Sequence, residues 1–264
     1  MEPKKKKSVR LWAVVFWLLV WQGTSMALTA LYPHGALLLA SPLSALARLG
    51  ELAVTAAFWQ TALTSTVHIL GGFLLACVLA VVLAALAARY RRAEELLAPL
   101  VSVVKAVPVA SFIILVLLWF SGKNLSVIIS MLMVFPVIYM NVLEGIRSAD
   151  EKLLEMAQVF RLSVGKKLLY IYLPAVAPFF VSACSVSLGL CWKSGIAAEV
   201  IGTPDGSIGA VFYQAKIFLQ TSELLAWTVV VVAVSVAFEK LFMFLLRLVL
   251  KKLKMEDVLN GKRA

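Results

Sequence analysis

The chain has 264 residues, 62% of them hydrophobic and only 15% charged, with a net charge of +11. Soluble domains average roughly 45–50% apolar residues, and so few charges cannot cover this much apolar surface, which excludes a soluble globular fold. The surplus of Lys and Arg does not point to nucleic acid, because of where along the chain it falls.

Crossing about 30 Å of hydrocarbon takes roughly 20 apolar residues, and backbone polar groups in lipid must pair within the spanning segment. Six helical spans are predicted, at 11–31, 62–88, 99–120, 125–146, 174–197 and 224–246. The fold class is therefore an all-α polytopic membrane protein, with one transmembrane domain over 1–264. The first span follows Lys4, Lys5, Lys6 and Lys7, a start shared with signal peptides, and small residues at Ser25 to Ala27 offer a cleavage point. The apolar pattern runs on through Leu31 and favours a retained span. Segment 41–61 is amphipathic, with Ser41-Pro42 as a helix start. A short basic loop follows at 89–95 (RYRRAEE), and a tight turn at 120–125 (FSGKNL). Segment 147–173 is the longest loop on the basic side. Segment 198–223 holds a Pro-Asp-Gly turn and then an apolar stretch suited to lying at the interface or re-entering.

With the N-terminus inside, 19 of the 25 Lys and Arg fall on inner segments and three, Arg48, Lys123 and Lys216, on outer ones. The positive-inside rule then places both termini in the cytoplasm of a multi-pass plasma-membrane protein. The basic balance reads as topology, with anionic lipid as partner rather than nucleic acid.

Few residues in the spans carry chemistry. Cys77, Cys184 and Cys191 form no CxxC pair and no zinc spacing, and read as small packing residues. Lys105 near the inner end of the third span is expected to snorkel to the interface. Glu239 and Lys240 fall where the last span meets the inner surface. Trp192, Lys193 and Glu199 close the fifth span in a Ser-Gly interrupted segment. They fit either a lining of the translocation path or outer gate, or an interfacial anchor with Trp at the headgroups and Lys reaching water.

The loop 147–173 has two helix-like faces. Ser148 and Glu151 match a capping box, S-x-x-E. Leu153, Met156 with Ala157, and Phe160 then recur at helical spacing. Ser163 offers a second cap, 166–172 a second helix, and Pro174 suits the first turn of the next span. The apolar face packs either on the protein's own inner surface or on a separate cytoplasmic protein.

The run Glu155-Met156-Ala157, then Arg161, then Ile171-x-Leu173-Pro174 resembles the cytoplasmic EAA loop of ABC-importer permeases. Residues 106–128 (AVPVASFIILVLLWFSGKNLSVI) and 191–215 (CWKSGIAAEVIGTPDGSIGAVFYQA) are similar to the third and fifth spans of the nitrate/sulfonate/taurine type, and the likeness covers about 60–245. Two positions depart: Met156 stands at the second Ala, and Arg161 at a Gly. That Gly would be a helix C′ residue with positive φ, where any other residue costs on the order of 1 kcal/mol. Either Arg161 accepts this, or the turn has another shape, with Gly165 absorbing part of the change.

The resemblance implies a permease subunit, not an enzyme. It would form a homodimer or paired permease with two cytoplasmic ATPase subunits and an external solute-binding protein. ATP and Mg would be bound by the ATPase, and no cofactor by this chain, which has no Gly-x4-Gly-Lys-Ser/Thr loop. ATPase docking would fall to Leu153, Glu155, Met156, Ala157, Phe160, Arg161 and Gly165, with Trp192, Lys193 and Glu199 at the path or gate. The solute would be a small organic or inorganic anion or a vitamin precursor. The alternative is an ion-coupled secondary transporter, which needs acids near the midplane, whereas the acids here cluster at interfaces. A membrane hydrolase would need a Ser nucleophile opposite a His, and neither His34 nor His68 accompanies one.

Overall fold

The computed structural model describes residues 11–120 and 122–253, and among these every regular element is helical. The lysines at 4–7 and the basic tail beyond 253 lie outside the described residues. In chain order the helices are α1 (Leu11–Leu31), α2 (Gly35–Leu38), α3 (Pro42–Ala53), α4 (Ala56–Arg89), α5 (Arg91–Ala106) and α6 (Val109–Trp119). Then come α7 (Leu125–Arg147), α8 (Glu151–Val159), α9 (Val164–Lys167), α10 (Leu173–Gly202), α11 (Ile208–Ile217) and α12 (Thr221–Lys252). Five stretches are long and apolar enough to cross a membrane. Ser41 caps α3, its hydroxyl accepting from the Ser44 amide, with Pro42 in the first turn.

The core is the triple junction of α4, α7 and α10. The packed face of α4 repeats small residues, Ser65, Gly72, Ala76, Ala80, Ala84 and Ala87, all buried. Such residues let backbones approach closely where no water drives helices together. A Cβ on Gly72 would fall 2.3 Å from the Val127 carbonyl oxygen, and one on Gly195 would meet Ile69 at 2.6 Å and Ser130 at 2.7 Å. The Ser130 hydroxyl completes the junction by donating to the Cys191 carbonyl at 3.2 Å. The three cysteines are free and buried in this packing.

The stretch 99–120 is not one straight span. Helices α5 and α6 bend by 109° at their break. Pro108 has no N–H to continue α5, and its ring drives Val107 into extended backbone (φ −76°, ψ 132°). Pro99 is carried inside α5, so the bend belongs to Pro108 rather than to proline in general.

The loop after α7 also differs in detail. Ser148 is not the cap of α8: its hydroxyl donates to the Gly145 carbonyl and finishes α7. Asp150 takes the cap, accepting from the Lys152 amide at 2.9 Å. Helix α8 ends at Arg161, whose φ is +50°. The Leu162 amide donates to Ala157 (2.9 Å) and the Arg161 amide to Gln158 (3.0 Å), the paired bonds of a Schellman ending. Gly165 lies inside α9 and has no part in the turn. Beyond it the chain does not break. One wide π turn over Leu168–Tyr172 carries α9 into α10, making a single helical rod, Val164–Gly202.

Arg161→Gly should therefore relieve the left-handed strain, by about 1 kcal/mol. The expected outcome is slower amide exchange at Leu162, and Arg161→Val should make it faster. Exchange quickened by the glycine would show that the turn is not strained at this position.

Candidate functional site

Helix α8 presents an apolar face to solvent. Leu153, Met156 and Phe160 are 43%, 45% and 72% exposed. Val159, which the helical pattern passed over, is 79% exposed and widens the same face. Glu155 is exposed beside it, and Arg161 is exposed at the turn. Ala157 is not on this face. It is fully buried, with Ala149 and Ile171, under Leu154, Leu162 and Tyr172. Met156 and Ala157 are adjacent but about 100° apart around the helix, so one faces outward and the other the small core that fastens α8 to the start of α10. Gly165 is exposed on α9, away from the α8 face, where it lines a hollow with Leu168 and Leu169.

At the other end of α10, Trp192 and Glu199 are interior and Lys193 is exposed. Trp192 is 2% exposed within the main core, too deep to anchor at headgroups. Glu199 is completely buried. Its Oε2 accepts from the Ser65 hydroxyl of α4 at 2.6 Å and from the Gly209 amide of α11 at 3.2 Å. The same Ser65 hydroxyl accepts from the Ile208 amide at 2.9 Å. Two of the orphan amides that open α11 are thus satisfied by one Ser–Glu pair, and the carboxylate sits at the positive end of that helix.

Gly209 allows this approach: a Cβ there would fall 2.2 Å from that of Glu199. Ser207, after the Pro204-Asp205-Gly206 turn, caps α11 by accepting from the Ala210 amide. Glu199 thereby joins α4, α10 and α11, while its Oε1 is buried with no hydrogen bond among the described residues.

A third feature lies at the α5–α6 break. A hollow of about 260 Å³ between α5 and α7 is lined by Glu94, Ser102, Lys105, Tyr139, Glu144 and Arg147, among others. Arg147 pairs with Glu94. Lys105 has no ion pair among the described residues, and its ammonium lies 3.4 Å from the Met140 sulfur. Met140 precedes Arg147 by seven residues, about 10 Å along α7. The lysine is thus two residues before Val107 and Pro108, which make the break, on a cavity, and well above the basic end of the bundle.

Residues 76–255 match the family described as "binding-protein-dependent transport system inner membrane component". The chain is similar to a putative aliphatic sulfonates transport permease protein, SsuC, of Bacillus subtilis, at 31% identity over 166 residues, 62% of this chain and 59% of that protein. It resembles a bicarbonate transport system permease protein, CmpB, of Synechococcus elongatus, at 25% over 198 residues, 74% and 70% of the two chains. It also resembles a riboflavin transport system permease protein, RibX, of Chloroflexus aurantiacus, at 27% over 200 residues, 75% and 73%. Its match to the sulfonate permease spans less than two thirds of that protein's length. The matched region holds α8 with its exposed face, Glu199 and Gly209 but not Ser65, and the α5–α6 break, and its several apolar helices make this a multi-pass membrane protein. The chain belongs to the family of binding-protein-dependent transport system inner membrane components.

Proposed function

We propose that two copies of this chain form the solute path of an ATP-driven importer, with both termini cytoplasmic. Each copy docks one ATPase subunit through α8, and an external binding protein delivers the solute. The observation that carries this reading is the exposed row Leu153, Met156, Val159 and Phe160 on a helix fixed to the membrane domain by its own small core. An apolar face of this kind calls for a protein partner. ATP and Mg belong to that partner.

The structure suggests how force would travel. A push on α8 passes through Ala157 and Ile171 into the rod that contains α10. That rod runs 39 residues, roughly 58 Å, and carries Glu199 in its last turn. There it holds the N-terminus of α11, a short helix at the end opposite the loop. Displacement of α10 would load the Glu199–Ser65–Gly209 junction, the natural place for an outer gate. Trp192 and Glu199 then act as buried supports of the gate, and Lys193 is the member of that trio free to face the path.

For the solute, Lys105 favours an anion. An unpaired ammonium about 10 Å above the basic end is costly unless it faces water or a counter-charge. Among the relatives, sulfonate and bicarbonate are anions and riboflavin is uncharged, and an unpaired lysine favours the former kind of solute.

Three measurements test these assignments in proteoliposomes holding the assembled transporter. Glu155→Lys, or Met156 and Phe160 both changed to Asp, should abolish uptake and co-purification of the ATPase while membrane abundance stays normal. Unchanged uptake would remove α8 from the coupling path. Glu199→Ala strands the Gly209 amide and takes the acceptor from the Ser65 hydroxyl, and should lower uptake about tenfold or more, with Glu199→Gln milder. Equal, normal uptake in both would make the junction dispensable. Lys105→Met should lower anion uptake about tenfold while Lys105→Arg retains it, and an indifferent Lys105→Met would mark the residue as a snorkelling lysine only.

A further inference from the structure

Two contiguous hollows on another side of the bundle are not used by the transport reading. The deeper, about 520 Å³, is walled by Val81 and Ala85 of α4, Val142 and Ile146 of α7, and Leu168 and Tyr172 of the π turn, among others. The shallower, about 340 Å³, shares Ala85, Ile146, Leu168 and Tyr172 and adds Arg89 and Lys167. The first volume lies in the usual range of small-molecule sites, ~300–1,000 Å³. No acid lines either hollow. Neither Arg89 nor Lys167 forms an ion pair among the described residues. The Arg89 guanidinium rests over the Tyr90 ring at 5.3 Å, which leaves its N–H donors unused by carboxylates.

Geometry selects the occupant. Arg89 is the last residue of α4, and Val81 lies eight residues deeper, about 12 Å along the helix. That is most of one leaflet of a ~30 Å hydrocarbon layer. The groove is therefore apolar where acyl chains run and cationic where headgroups lie. A second copy of the chain is a poor fit, because a twofold contact across this groove would bring Arg89 and Lys167 against themselves. An ATPase would dock at the loop, not along a wall that extends a dozen ångströms into the span region.

We propose that this groove is a specific site for one anionic phospholipid of the leaflet at the basic end. An acyl chain lies against Val81, Ala85 and Leu168, with the phosphate between Arg89 and Lys167. The site rests on the membrane placement of the bundle but not on the solute or the ATPase. Its floor is the π turn, an element often found at functional sites. Here that turn joins α9 to α10, so the lipid braces the joint between the loop and the rod.

The test is lipid retention by the full purified chain in detergent, read by native mass spectrometry with phosphatidylglycerol or phosphatidylcholine added. One phosphatidylglycerol per chain should be retained in preference to phosphatidylcholine. Arg89→Gln with Lys167→Gln should lower its retention about tenfold. Ala85→Trp, which fills the groove and leaves both cations, should lower it as well, with helix content by circular dichroism confirming that each variant is folded. Equal retention of the two lipids by the unaltered chain would overturn the proposal, as would folded variants that keep the lipid. A disulfide forming between two chains that carry Ala85→Cys would place a second copy in the groove and overturn it too. Uptake variants on α8 leave this measurement untouched, so failure of the lipid site and failure of the transport reading are separable.

Discussion

The close approach of α4, α7 and α10 is the constraint on which the remainder depends. In lipid there is no hydrophobic drive between helices, so they associate through packing and hydrogen bonds. Gly72 and Gly195 bring three backbones together around Ser130, and Ala76, Ala80 and Ala84 continue the seam along α4. A larger side chain at Gly72 would meet a carbonyl oxygen rather than a movable side-chain tip. The junction therefore fixes the register of the three helices, and with it the positions of Ser65 and Glu199 at one end and of the loop at the other.

From that junction one element reaches both candidate sites. The rod Val164–Gly202 begins with α9, passes through the π turn and is closed by the left-handed Thr203 (φ +43°). Its lower end is fastened to α8 by buried Ala157 and Ile171, and its upper end to α11 by Glu199. The buried Glu199 carboxylate depends on the Ser65 hydroxyl and the Gly209 amide for its partners, since a buried unsatisfied polar atom is costly. The lipid groove bears on the same rod at the π turn, so three contacts of different chemistry act on one rigid piece.

Much of the fold was legible because periodicity and hydropathy act locally. Helices α1 and α7 lie close to the predicted 11–31 and 125–146, and Ser41-Pro42 opened α3 as its chemistry requires. The errors came where two local signals competed or where a contact was distant. The S-x-x-E pattern pointed to Ser148 as the cap, and only its hydrogen bond back to Gly145 shows that Asp150 takes that place. Pro108 was visible, but a proline can be absorbed inside a helix, as Pro99 is, and the sequence does not rank the two. At Arg161 the left-handed residue was anticipated from the family's glycine, and its φ of +50° shows that Arg takes on the strain. Glu199 was visible as a motif, but its partner Ser65 is 134 residues away, and no local pattern marks it among the neighbouring hydroxyls of α4.

The outer helices are attached quite differently from the core. In the best membrane-spanning windows of α1 and α12 only 6% of residues are buried, against 56% for the stretch containing α7. Helix α1 is tied by a polar contact, Trp21 Nε1 donating to the Ala40 carbonyl at 3.0 Å, whereas α12 packs Trp227 against Phe58 and Phe242 against Phe73 of α4 and pairs Glu223 with Arg48 of α3 at 2.9 Å. Single hydrogen bonds of this kind contribute little, so α1 is held chiefly by whatever surrounds it, lipid or other chains. A rigid centre with a loosely held first helix lets α4, α7 and α10 keep their register, and with it the placement of α8 and of the Glu199 junction, whatever α1 packs against.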